Sequence, residues 1–119
     1  MPHLYVEYSD NITALNEAAL LQALNEAVAS HPSIPAEEDL KARIAPVRQY
    51  RVGTQPAGRA FVHTELRLLS GRTPEMKKEL SELIGGVLKA TIPQPEGLVV
   101  QLSADIVDMD RAAYFKGRL

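Results

Sequence analysis

The sequence repeats one order of structural segments, and this repeat restricts the chain to few topologies. In each half, an extended run is followed by a helical stretch and a second extended run. The extended runs cover residues 3–8 and 40–52 in the first half, and residues 60–69 and 98–107 in the second. We expect each strand–helix–strand unit to form a right-handed crossover with its two strands parallel.

Two such units side by side predict an α+β fold, in the form of an α/β two-layer sandwich. Its four strands would form one mixed sheet with both helices on one face. A length of 119 residues fits one domain, so we interpret residues 1–119 as a single domain with a pseudo-repeat of residues 2–52 and 58–110. The second sheet face would have no cover within the chain. A sheet of mixed apolar residues with one bare face predicts oligomerisation.

Local signals define the two helices. The first is expected over residues 13–30, after a turn and cap cluster at residues 9–11. The second is expected to begin with Thr73 as cap and Pro74 at its first position. Two adjacent glycines at residues 85–86 weaken this second helix by about 2 kcal/mol relative to alanines. The pair also suggests that another backbone approaches closely there.

Strand alternation assigns side chains to faces. In the second strand Lys41 and Arg43 share one face, because they alternate with Leu40, Ala42 and Ile44. Pro46 interrupts the pattern and predicts a bulge or an edge strand. In the third strand one face carries Val62, Thr64, Leu66 and Leu68, and the other carries Phe61, His63, Glu65 and Arg67.

Composition excludes several classes of function. The absence of cysteine excludes a disulfide scaffold, a thiolate nucleophile and a cysteine-ligated metal. Thirteen basic and fifteen acidic residues give a net charge of −2, which argues against a nucleic-acid partner. No segment reaches the roughly 20 apolar residues of a membrane span. The first residues lack the features of a secretory signal, so the cytoplasm is the expected location.

Common catalytic motifs are also absent. The sequence has no phosphate-binding glycine loop, nucleophile elbow or HExxH. We expect His31 to lie at the surface of a helix end and His63 to be a packed, hydrogen-bonded strand residue. The acidic run at residues 37–39 is interpreted as a solvated turn, because adjacent carboxylates in a loop do not converge.

Pro2 is the candidate catalytic residue. Removal of Met1 is expected before a small residue, and it would expose a secondary amine at the start of a strand. An α-amino group titrates near pH 8, and burial or nearby cations lower its pKa further. Such an amine is a suitable general base near neutral pH. The alternative is that Pro2 has no catalytic meaning, as in many chains that begin Met-Pro.

Three cations are the candidate substrate-binding residues. Arg72 lies in a strand-to-helix turn, and Lys41 and Arg43 project from one strand face. Arginine can hold a carboxylate through two parallel hydrogen bonds. A base, these cations and an apolar setting suit an anionic substrate with an acidic C–H or O–H. The alternative for each cation taken singly is a solvated surface position.

The stretches MPHLYVEYSDN, AFVHTELRLLSGRTPE and the late YFK resemble the 5-carboxymethyl-2-hydroxymuconate isomerase family of the tautomerase superfamily. The resemblance implies a cofactor-independent isomerase of aromatic catabolism, with a tautomerase fold that forms homotrimers. It implies enol–keto tautomerisation of 5-carboxymethyl-2-hydroxymuconate or a similar 2-hydroxy-dienoic acid. Pro2 would take the hydroxyl proton and return it to carbon, and Lys41, Arg43 and Arg72 would bind the carboxylates.

One residue departs from the family pattern and keeps alternatives open. Lys41 stands where the family commonly has arginine, so the charge is retained while the two-pronged donor is lost. A second hypothesis is therefore a tautomerase of another enol acid, such as a phenylpyruvate-like compound. A third is a non-catalytic trimeric binding protein, which would require a blocked or irrelevant Pro2.

Overall fold

Alternating apolar residues form four strands of one sheet. The computed structural model describes residues 1–119, with strands β1 (His3–Ser9), β2 (Lys41–Val47), β3 (Arg59–Leu69) and β4 (Val99–Met109). The strand order is β2-β1-β3-β4. β1 is parallel to β2, β3 is parallel to β4, and β1 is antiparallel to β3. The predicted mixed sheet of two β-α-β units is confirmed.

Helix α2 (Pro74–Thr91) begins as the sequence indicates. The Thr73 hydroxyl accepts a hydrogen bond from the backbone nitrogen of Met76 at 3.2 Å. Pro74 occupies the first helical position, where a missing N–H is harmless. The prediction for this helix start is therefore confirmed.

Helix α1 (Glu17–Ala29) begins later than the predicted residue 13. Its cap is Asn16, whose side-chain oxygen accepts from the nitrogen of Ala19 at 3.0 Å. The predicted cap cluster has another use: Ser9 Oγ accepts from the nitrogen of Phe61 at 3.0 Å, and the Asn11 amide donates to the Arg59 carbonyl at 2.9 Å. These polar side chains tie the end of β1 to β3 and are unavailable as helix caps.

The apolar stripe of each helix packs on one face of the sheet. Alternate residues of the strands complete the core beneath the helices, and they are almost fully buried. The helix residues are Leu20, Leu24 and Val28 in α1 and Leu80, Ile84 and Leu88 in α2. The strand residues are Leu4, Val6, Ala60, Val62, Leu66 and Leu68. No helix combines the length and apolar character that crossing a bilayer requires.

Strand β2 lies at the edge of the sheet, as one interpretation of Pro46 suggested. Its register with β1 runs unbroken from His3 opposite Lys41 to Ser9 opposite Val47, so the bulge interpretation is wrong. The strand also ends at Val47 instead of residue 52. Val52 instead makes an isolated bridge with Gln55 in the following loop.

The uncovered face of the sheet is more polar than expected. It carries the charged and polar alternation of the strands, including Glu7, His63, Glu65, Arg67 and Asp105. The same face also carries Tyr5, Phe61 and Val99, so apolar side chains alternate with charged ones there. Exposed apolar area alone does not require a partner on the uncovered face.

The predicted close approach at the glycine pair of α2 is absent within the chain. A Cβ added at Gly85 or Gly86 would have no atom within 4 Å. We expect Gly86→Ala to raise the free energy of unfolding by about 1 kcal/mol, because alanine reduces the helix-forming cost without a clash. Urea unfolding measures this change.

The matched glycine control is Gly71→Ala. Gly71 has φ +128°, which a residue with a Cβ rarely adopts, so this variant should lose stability. A Gly86→Ala protein that is less stable than the parent would contradict the open space at this helix face.

Candidate active site

The parallel pairing of β1 and β2 places the start of the chain beside the first residue of β2. His3 pairs with Lys41, and the Lys41 backbone nitrogen donates to the Pro2 carbonyl at 3.1 Å. Pro2 is buried, whereas Met1 is only partly buried. Two of the sequence-predicted residues, Pro2 and Lys41, are therefore neighbours at one end of the sheet.

The turn after β3 brings Arg72 to this same end. Since β3 runs antiparallel to β1, its last residues lie near the first residues of β1, with Arg67 opposite His3. The α-amine of Met1 has a lowered pKa, first because of burial; Asp39 opposes the shift, and Lys116, Arg72 and Lys41 add to it. The charges that act on the amine are thus three cations and one carboxylate.

This environment favours the neutral form of an amine. Burial and nearby positive charge both disfavour protonation, so the lone pair is available at lower pH than in an ordinary α-amine. The amine in this chain belongs to Met1, and the nitrogen of Pro2 is an amide while Met1 is attached. The group of charges at the chain start can therefore keep a base neutral and attract carboxylates.

Arg72 is held firmly in its turn. Its Nε donates to Ser33 Oγ at 3.0 Å, its Nη2 to the Ser33 carbonyl at 2.7 Å, and its Nη1 to the Leu69 carbonyl at 3.2 Å. The pKa of Arg72 is lowered, first by burial and then by Arg111, while Asp108 opposes the shift. The guanidinium remains charged, since the usual pKa of arginine is above 12.

Arg43 takes a different position from the other predicted cations. Its Nη1 and Nη2 lie 3.3 and 3.4 Å from His3 Nδ1, and its guanidinium carbon lies 4.1 Å from the centre of the Tyr5 ring. Lys41 and Arg72 thus act on the amine, whereas Arg43, on the same strand face as Lys41, contacts His3 and Tyr5.

The histidines differ from one another in their surroundings. His31 is buried, not at the surface as predicted, because the chain after α1 folds it against Ser33, whose Oγ lies 2.8 Å from Nδ1. His63 Nδ1 lies 2.7 Å from Ser103 Oγ, so the prediction of a hydrogen-bonded strand residue is confirmed. His3 has a lowered pKa, first through burial and next through Arg43.

The acidic run at residues 37–39 forms a short 3₁₀ helix, Glu37–Asp39. Glu37 and Glu38 are exposed, as expected for solvated residues. Asp39 is the exception, because it lies 3.5 Å from the Lys116 ammonium and 4.0 Å from Arg118. Asp39 therefore joins the charges around the chain start.

Sequence reasoning missed the contribution of the C-terminal tail. Lys116 acts on the amine, and the Tyr114 hydroxyl lies 2.7 Å from His3 Nε2. A signal for this placement existed in the predicted topology. Because β4 is parallel to β3, it ends at the end of the sheet where β1 begins, so the residues after Met109 start near Pro2.

The largest cavity of the chain is lined by His31 but by neither Pro2 nor the three predicted cations. It has a volume of about 720 Å³ between α1 and α2, and its lining includes Glu79 and Glu82. Two carboxylates make this groove unsuitable for an anionic substrate. We therefore place the candidate site at the chain start, where the base and the cations meet.

Comparison with known proteins identifies the family and supports the fold described above. The family model for 5-carboxymethyl-2-hydroxymuconate isomerase matches residues 2–118. A crystal structure of a 5-carboxymethyl-2-hydroxymuconate isomerase from Deinococcus radiodurans R1 is 31% identical. The match covers 99% of this chain and 90% of that chain, with a TM-score of 0.84.

More distant structures share the fold. A 5-carboxymethyl-2-hydroxymuconate delta-isomerase is 17% identical over 100% of this chain and 88% of that chain, with a TM-score of 0.79. A fused 4-OT described as a wild type asymmetric trimer is 18% identical over 97% and 92%, with a TM-score of 0.72. A comparison with the curated proteins found no match.

Proposed function

The chain belongs to the 5-carboxymethyl-2-hydroxymuconate isomerase family of the tautomerase superfamily. We propose that Pro2 is the base in the tautomerisation of 5-carboxymethyl-2-hydroxymuconate. Loss of Met1 would turn the Pro2 nitrogen into a free secondary amine. The observation that supports the proposal is the place of the chain start: Pro2 is buried beside Lys41, whose backbone nitrogen donates to the Pro2 carbonyl at 3.1 Å. There the partly buried α-amine of Met1 has a pKa lowered by burial and by Lys116, Arg72 and Lys41, against Asp39.

The reaction needs one proton-carrying group. The Pro2 nitrogen takes the proton of the 2-hydroxyl group, so the O–H bond breaks and the oxygen becomes the carbonyl oxygen. The electron pair moves along the conjugated chain, and the Pro2 ammonium returns the proton to carbon. The substrate is neither oxidised nor reduced, so no cofactor takes part. A pKa near the working pH lets one amine act first as base and then as acid.

Lys41 and Arg72 supply the positive charge for the carboxylates. Both act electrostatically on the amine, so a substrate held by them would lie beside the base. The same cations stabilise negative charge on the oxygen as the hydroxyl proton leaves. Arg43 remains a proposed ligand for a carboxylate, and its position on the uncovered face suggests that it acts in the assembled oligomer.

A homotrimer is part of the proposal. Distant fold neighbours are described as symmetric and asymmetric trimers. The uncovered face has a shallow cleft of about 370 Å³ lined by Tyr5, Arg43, His63 and Glu65 among others, which a second chain could close. Sedimentation equilibrium should give three times the 13.0 kDa mass of one chain, and a monomer at micromolar concentration would contradict the trimer.

Covalent labelling tests the role of Pro2 directly. We expect the purified protein to have lost Met1, and we expect a 3-halopropiolate to label its Pro2 amine, because only a neutral amine adds to the alkyne. Intact mass and peptide mapping measure both results. The control carries extra residues before Pro2, so that its nitrogen stays an amide, and this chain should remain unlabelled.

Two outcomes of the labelling would oppose the proposal. A native mass that includes Met1 would favour the non-catalytic binding protein. Label on lysine with none on Pro2 would show that the neutral amine lies elsewhere.

A second candidate substrate class follows from Lys41. A lysine ammonium is a point charge and does not impose the two-pronged geometry of arginine on a carboxylate. Another enol acid, such as a phenylpyruvate-like compound, is therefore the alternative substrate. Comparison of kcat/KM over a panel of enol acids separates the two, since preference for a monocarboxylate would favour the alternative. Cytoplasmic location stays a prediction.

A further inference from the structure

Ser33 occupies one side of the Arg72 guanidinium. Its hydroxyl and carbonyl oxygens accept from Nε at 3.0 Å and from Nη2 at 2.7 Å, while the Leu69 carbonyl accepts from Nη1 at 3.2 Å. A guanidinium has five N–H groups. These three bonds leave one N–H on each terminal nitrogen, and these N–H groups remain available as donors to a carboxylate.

His31 in turn holds Ser33. The Ser33 backbone nitrogen lies 3.1 Å from His31 Nδ1, and the Ser33 hydroxyl lies 2.8 Å from the same atom. A backbone N–H can only donate, so Nδ1 must be the acceptor and the ring proton lies on Nε2. The serine hydroxyl then donates to Nδ1 and keeps a lone pair for Arg72.

The His31 ring is fixed by its surroundings. Only 5% of its side chain is exposed, and Nε2 has no hydrogen-bond partner, since Glu79 Oε2 lies 3.7 Å away. Burial of this ring at the end of α1 therefore sets where Ser33 stands. The hydrogen bonds of Ser33 then reach the turn after β3, 39 residues further along the chain.

We propose that His31 and Ser33 are positioning residues that orient Arg72 for a substrate carboxylate before the substrate binds. The inference rests on the proposed function, in which Arg72 binds a carboxylate. A free arginine side chain would lose rotamer freedom when it binds, and this cost weakens affinity. The contacts with Ser33 restrict the Arg72 side chain during folding, so this rotamer freedom is not lost again when the substrate binds. They also hold Arg72 in place against the like charge of Arg111.

Ser33→Ala tests the first contact. We expect KM for 5-carboxymethyl-2-hydroxymuconate to rise about tenfold while kcat changes less than about threefold, because one hydrogen bond to a charged group is lost and the base is untouched. Ser81→Ala is the matched control. Its hydroxyl donates to the Lys78 carbonyl within α2 and makes no bond to Arg72, so KM should stay at the parent value.

A pair of His31 variants tests the second contact. Asparagine can accept a hydrogen bond from the backbone nitrogen two residues later, as in an Asx turn, and so replaces the acceptor at Nδ1. We expect His31→Asn to keep KM within about threefold of the parent and His31→Leu to raise it about tenfold. Equal KM values for the two variants would overturn the inference, whether or not Ser33→Ala folds.

A double-mutant cycle separates positioning from general damage. If Ser33 acts through Arg72, Ser33→Ala should leave KM unchanged within about twofold in an Arg72→Ala background. Losses that multiply in the double variant would overturn the inference. A Pro2→Ala protein with parent activity would refute the catalytic role of Pro2 instead, so the failures of the two proposals are distinguishable.

Discussion

Pro2→Ala should lower kcat for 5-carboxymethyl-2-hydroxymuconate by about 100-fold or more. General base catalysis by a positioned group contributes about 10²–10⁴-fold, and the variant replaces the secondary amine with a primary amine that lacks the ring. KM should change little, because the cations proposed to bind the carboxylates remain. Steady-state kinetics on protein whose mass confirms loss of Met1 measure the effect. Parent kcat in that protein would refute the role of Pro2.

The pH dependence of kcat/KM is an independent test of Pro2 as the base. A base acts when deprotonated, so kcat/KM should rise as the pH increases through the pKa of the amine. Burial and nearby cations lower the pKa of the Met1 amine. The Pro2 nitrogen is one residue further along in a buried position, so we expect the same charges to act on it and the rise to occur below pH 8.

Single charge changes should move this rise in opposite directions. Lys116→Ala removes a cation, so it should raise the pKa of the amine and shift the rise to higher pH. Asp39→Ala removes the opposing carboxylate and should shift the rise to lower pH. Shifts in the same direction for both variants would contradict the placement of the base among these charges.

Arg72→Ala should raise KM by about 10- to 100-fold with a smaller effect on kcat. Its guanidinium is partly buried and oriented by Ser33 and Leu69, so a carboxylate bound to it forms strong charge-assisted hydrogen bonds. Arg72→Lys should rescue little of the affinity, because an ammonium cannot present two parallel N–H groups to a carboxylate. Kinetics over a range of substrate concentrations separate KM from kcat.

Comparison of Lys41→Ala with Arg72→Ala shows which of the two cations contributes more to substrate binding. Lys41 is exposed, and its ammonium already donates to the Asp39 carbonyl at 2.7 Å, so solvent weakens its contribution. We expect a smaller rise in KM than for Arg72→Ala. A larger rise for Lys41→Ala would mean that Lys41 is the principal carboxylate ligand, against the order inferred from burial.

Local patterns in the sequence account for most of the fold. The two-residue alternation of β3 assigned its faces, and Thr73 with Pro74 located the start of α2. The start of α1 was misplaced because Ser9 and Asn11 bond to residues of β3, about 50 positions away. No window around residues 9–16 contains that information.

The candidate site shows the same difference between what local patterns predict and what long-range contacts decide. Pro2, Lys41, Arg43 and Arg72 were identified from residue type and position in strands and turns. The meeting of Lys41 with Arg72 depends on strand order, because β1 lies between β2 and β3 and so brings the start of β2 and the turn after β3 to one end of the sheet. The contributions of Lys116 and Asp39 required the path of the tail and the ion pair that it makes.

The sequence by itself thus determined the strand–helix–strand repeat, the faces of the strands and the candidate base. These features follow from neighbours in the chain, whose spacing imposes periods of two and 3.6 residues. Only the tertiary structure decided which cations surround the amine, that His31 is buried, and that Ser33 holds Arg72. Those contacts join residues tens of positions apart, and packing of the whole sheet is what brings them within hydrogen-bond distance.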